Sequence, residues 1–191
     1  MRKIMLAIST ILFTVPAWAD ELPAGSREIG RFDGSIGGQE YSLISVAYDG
    51  SEDTDMDHVL MFGMQQYSIA LKNGLDEYQA GKYPLLELII QPDPMASDED
   101  AKKLRMDTVS LYNSGNMMFP DYSSQLQSGF GTAEIKMIKF GEDGRISFDF
   151  TADLPKVAFK DLTLTPVADA DTIHIEGHFS GTVPKWAFYQ Q

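Results

Sequence analysis

Three groups of residues have types and spacings suited to binding chemistry. The first is His174, Glu176 and His178, which alternate with apolar residues along Asp171–Val183 (DTIHIEGHFSGTV). Two imidazoles and a carboxylate are a common metal set. Along a strand, however, the two histidines sit ~13 Å apart at ~3.3 Å per residue, too far to converge on one ion with bonds of ~2 Å. One of them with a cross-strand ligand can still do so. A solvated polar face is the plainer reading.

The second group is Asp53, Asp55, Asp57 and His58, within the acidic stretch DGSEDTDMD of residues 49–57 and just after it. The alternating carboxylates imitate the first ligands of a calcium loop. His58 stands where such a loop needs glycine, and Met64 where it needs a bidentate glutamate. Met56, His58, Met61 and Met64 overlap this group and are soft enough for copper(I). Calcium or copper is therefore the metal these residues would take. The plainer readings are an acidic turn and methionines that fill a core.

The third group is aromatic. Tyr112, Phe119, Tyr122 and Phe130 lie within or beside the longest irregular stretch, residues 113–127. Aromatic residues on loops at one end of a β fold grip sugars or apolar ligands, or else they plug the end of the core. Nucleophile motifs are absent. Gly177-His-Phe-Ser-Gly181 puts its serine one place too late for the hydrolase elbow, and strand alternation runs straight through it. There is no dinucleotide fingerprint, P-loop or H-E-x-x-H. A ligand- or protein-binding module is thus favoured over an enzyme, with an acid-pair hydrolase as the remaining enzymatic reading.

The elements that must carry these residues are strands. In Arg145–Asp153 (RISFDFTAD), Ile146, Phe148, Phe150 and Ala152 alternate with polar residues, and Ile173, Ile175, Phe179 and Val183 keep the same step with Gly177 and Gly181 between them. A period of two is the signature of half-buried strands. Further strands are expected over Glu28–Ile36, Gln39–Tyr48, His58–Met64, Tyr67–Lys72, Pro84–Gln91, Asp107–Tyr112, Thr132–Phe140 and Lys156–Pro166. Gly37-Gly38 suits a two-residue hairpin turn. Gln39–Tyr48 is apolar on both faces, which predicts a central strand. Thr132–Phe140 switches parity near Met137-Ile138, which predicts a β-bulge there. Lys156–Pro166 is expected to pair with Asp171–Val183 around residues 168–171. Ser97–Met106 has a capping serine, acidic residues first and basic residues last, the charge order of a short surface helix. One helical turn over Leu75–Ala80 and a last edge strand over Lys185–Gln191 complete the reading. The expected fold is all-β and mainly antiparallel: a β-sandwich, or alternatively a small β-barrel.

Residues 1–19 have the three parts of a secretory signal peptide: Arg2 and Lys3, an apolar run, and Ala17-Trp18-Ala19 before Asp20. Residues 20–191 are then one exported domain, periplasmic or secreted. Because the chain has no cysteine, neither disulfides nor a lipid anchor are expected, which suits a bacterial envelope protein. No later apolar run reaches the ~20 residues of a membrane helix. The net charge of −13 opposes binding to nucleic acid. The expected partner is a small ligand or a protein. A carrier of a small apolar molecule, or a calcium- or copper-handling protein, is the alternative.

Overall fold

The computed structural model describes residues 22, 24–49, 54–61, 64–73, 84–92, 104–114, 118–125, 129–140 and 144–182. It is all-β, with antiparallel pairing throughout. The strands are β1 (Ser26–Ile36), β2 (Gln39–Tyr48), β3 (Met56–Met61), β4 (Met64–Lys72), β5 (Leu85–Pro92), β6 (Leu104–Tyr112), β7 (Tyr122–Ser123), β8 (Thr132–Phe140), β9 (Arg145–Pro155), β10 (Val157–Lys160), β11 (Thr163–Pro166) and β12 (Thr172–Thr182).

All but β10 and β11 form one sheet in the order β7-β6-β5-β4-β2-β1-β12-β9-β8, with β3 also on β4. The sheet curls so that the segment at β7 reaches the chain just after β9. Val157 N–H donates to Asp121 O at 2.9 Å, and Tyr122 bridges Lys156. The fold is therefore barrel-like, with the apolar residues of each strand turned inward.

Rows across the sheet show how the alternation divides the two faces. Phe148, Phe179, Phe32 and Leu43 lie in register on β9, β12, β1 and β2, and all four are fully buried. The next rows on either side, Ser147–Ser180–Arg31–Ile44 and Asp149–His178–Asp33–Ser42, lie on the outer face. Four phenylalanines form the inner centre, with ring centroids 5.1 Å apart for Phe148–Phe179, 5.5 Å for Phe32–Phe150 and 6.0 Å for Phe148–Phe150. Each buried ring contributes about 1.5–3 kcal/mol of burial. Gly34 and Gly177 pair with each other beneath the Phe32 ring, and a Cβ on either would collide with it.

The turn at Gly37-Gly38 is as expected, with φ of 60° and 81°. The bulge is too: register on β8 jumps from Lys136↔Asp149 to Lys139↔Ser147. β2 lies between β4 and β1, although it meets β4 through a single pair, Ile44↔Lys72.

Two expectations are corrected. Lys156–Pro166 is not one strand facing Asp171–Val183. It folds on itself as the ribbon β10–β11, and β12 pairs with β9 and β1 instead. The turn that makes this possible is Asp161-Leu162, with φ of 52° and 63°. Such a turn normally announces itself by glycine or asparagine. Leu104–Met106, the end of the expected helix, opens β6. Residues 97–103, the turn at 75–80, the leader segment and the tail 185–191 lie outside the described residues.

Candidate functional site

Two regions stand out, and the first is the outer face of β9 and β12. Because His178 stands directly opposite Asp149, and Ser147 is two residues along β9 on the same face, the three side chains meet. His178 Nδ1 is 2.6 Å from Asp149 Oδ1 and its Nε2 is 3.1 Å from Ser147 Oγ. An ionised carboxylate only accepts, so Nδ1 carries the hydrogen, and in the neutral ring Nε2 then accepts from the serine. His174 makes its own pair, Nδ1 to Asp153 Oδ1 at 2.7 Å, with Glu176 Oε2 3.8 Å from Nε2. The hydrogen bond to Asp153 raises the pKa of His174 above the usual histidine range. The two histidines thus take separate aspartates, as their spacing implied. Among the described residues no three histidine or carboxylate groups are arranged to hold a metal ion.

The second region is where the segment before β7 meets the β10–β11 ribbon. The paired positions Val157↔Pro166 and Phe159↔Leu164 share one face of the β10–β11 ribbon. Burial falls along the ribbon from root to tip. Val157 is 6% exposed at the root, Phe159 42% further out, and Leu162 87% at the tip. Phe119 stacks on Phe159 with centroids 3.9 Å apart and planes 15° from parallel. Its neighbour Met118 is 79% exposed. The segment is anchored by Asp121, whose Oδ2 accepts from the N–H groups of Asn113 and Ser114 at 2.7 and 2.9 Å.

The four aromatic candidates therefore have different fates. Phe119 belongs to this exposed apolar end. Tyr122 pairs with Leu111 on β6 and packs against the core. Tyr112 donates to Glu87 Oε2 at 3.2 Å, and burial first, then Glu87, pushes its hydroxyl pKa well above the tyrosine range. Phe130 lies half-buried between Gly129 and Gly131.

Asp55 has a structural engagement. Its Oδ2 accepts from Val46 N–H at 2.9 Å and its Oδ1 from Lys72 Nζ at 2.5 Å. Its own N–H donates to Val46 O, and its carbonyl accepts from Ala70 N–H. Residues 54–55 thereby fill the gap where β2 and β4 part, supplying the backbone partners that a strand would. Asp57 and His58 stand on β3 opposite Ser68 and Tyr67, and only their backbone is described. Met61 and Met64 pair with each other at the β3–β4 turn, while Met56 is buried in the core. Asp53 lies outside the described residues.

The sequence marks His178 and Phe119, but no local motif marks the residues they meet. Ser147, Asp149 and His178 come together only through register, and the exposed ribbon depends on a leucine in a turn conformation that leucine seldom adopts. Comparison with protein families, curated proteins and solved structures finds no match.

Proposed function

We propose that the chain is an exported binding module of the bacterial envelope that engages an apolar segment of a protein partner through the β10–β11 ribbon and Phe119. The observation that carries this is Leu162, 87% exposed at the tip of an apolar ribbon and held at a φ of 63°. A bulky side chain in the left-handed region costs ~1–2 kcal/mol, and burial at that site returns little of it. Phe159 beside Phe119 and the exposed Met118 extend the apolar surface. Lys160 and Asp161, both exposed, put polar groups at its rim, the form of a surface that a partner covers. The leader sequence supports the address.

The interior weighs against the alternative of an apolar-ligand carrier, because four phenylalanine rings occupy the space beneath β1, β9 and β12. The metal-handling alternative is weakened by the engagement of Asp55 with Lys72 and Val46.

The test is site-specific photocrosslinking in the envelope of producing cells, with the probe at position 118 and a control probe at the exposed position 169. A discrete adduct from 118, absent from 169 and lost with Phe159→Ser, is expected. Equal labelling from both positions, or an adduct indifferent to Phe159→Ser, would overturn the proposal.

A further inference from the structure

The geometry points to Ser147, His178 and Asp149 as an acyl-transfer site for small carboxylic esters, an activity separate from partner binding. Three roles are filled at hydrogen-bond distance: a hydroxyl nucleophile, an imidazole 3.1 Å from it through Nε2, and a carboxylate 2.6 Å from Nδ1. The carboxylate holds the tautomer in which Nε2 can take the serine proton, the arrangement that general-base activation requires. The same roles recur on unrelated folds, so they are recognised by geometry rather than chain order.

The site is rigidly supported. Phe148 lies between Ser147 and Asp149 on β9, Phe179 follows His178 on β12, and both rings are fully buried on the inner face. The two strands pair over eleven positions, from Thr172↔Pro155 to Thr182↔Arg145. Backbone held on both sides in this way fixes the side chains above it. One hydroxyl that could serve a developing oxyanion is carried by the neighbouring strand. Ser180 lies directly opposite Ser147, one strand spacing of ~5 Å away.

The step balances with water as the only co-reactant. Ser147 Oγ bonds to the ester carbonyl carbon as its proton passes to His178 Nε2. The carbon–oxygen bond to the alcohol breaks, and the leaving oxygen takes that proton. Water then adds to the acyl-serine, giving its proton to Nε2. The acid departs as the proton returns to Ser147 Oγ. Because His178 is half-exposed, the site suits small, reactive esters and gives little selectivity.

The experiment uses the purified protein with p-nitrophenyl acetate, following nitrophenol release and mapping the acetyl adduct by peptide mass. The expected result is an acetyl group on Ser147 and a release rate that falls at least ~10-fold with Ser147→Ala and with His178→Gln. Asp149→Asn should also lower the rate, by releasing the tautomer, while Ser35→Ala on the same face leaves it unchanged. Ser147→Ala removes one half-exposed hydroxyl, so an unchanged thermal midpoint confirms that lost turnover is not lost folding. If Ser147→Ala keeps the parent rate, the imidazole acts alone and the proposal fails. It fails equally if the parent protein shows no turnover above the Ser147→Ala/His178→Gln double variant, or if the adduct maps elsewhere.

Discussion

Lys72 reaches from the end of β4 to Asp55, and the two charges meet at 2.5 Å with only 8% and 10% of their side chains exposed. The pair sits where β2 and β4 separate, so it closes the weakest seam of the main sheet. Removing one partner from a buried pair leaves the other charge uncompensated, which costs about 3–5 kcal/mol. Lys72→Met should therefore lower the unfolding free energy by that amount in a denaturant titration. Asp55→Ala should cost at least as much, because Val46 N–H also loses its acceptor.

The glycine pair under Phe32 makes a second prediction. A methyl group at Gly177 would meet the Phe32 ring and the carbonyl of Asp33. Gly177→Ala should destabilise by about 1–3 kcal/mol through overpacking. Phe32→Leu in the same chain should make the alanine less costly, so the two effects will not add. Strict additivity in a double-mutant cycle would show that the contact does not limit packing there.

A third prediction concerns pH. His174 has its pKa raised chiefly by the hydrogen bond to Asp153, with smaller help from Glu176. A raised folded pKa means that this contribution to stability is present in full below the unfolded value of ~6.5. It is lost as pH rises through the folded value. Asp153→Asn should bring the His174 titration, followed by NMR, back toward the ordinary range. A titration unmoved by that substitution would assign the shift to another group. Both partners are about half-exposed, so the effect on overall stability will be small.

The regular parts of the fold were legible because alternation reports directly on burial. Ile146, Phe148, Phe150 and Ala152 all face inward, and Gly37-Gly38 and the bulge at Met137-Ile138 occur where glycine pairing and a parity switch place them. What alternation cannot report is register between strands distant in the chain. Ser147 and Asp149 lie some thirty residues from His178, with |i−j| of 31 and 29, and nothing local to either segment says that they face each other. The ribbon was illegible for another reason. Turn rules look for glycine or asparagine, and Asp161-Leu162 makes the turn with a residue those rules reject. The charge order of Ser97–Met106 suggested a helix, but Leu104–Met106 pair with β5 from Ile90 to Pro92, so sheet pairing outweighs a weak local preference there.

In the proposed function Leu162 is kept for a partner and not for folding. The direct measurement is the unfolding free energy of Leu162→Gly against the parent protein. Glycine accepts a φ of 63° without strain and completes an Asp-Gly turn. The variant should be as stable as the parent or more stable, by up to ~1 kcal/mol. A loss of ~2 kcal/mol or more, the scale of truncating a core leucine, would contradict that role and return Leu162 to the interior of the fold.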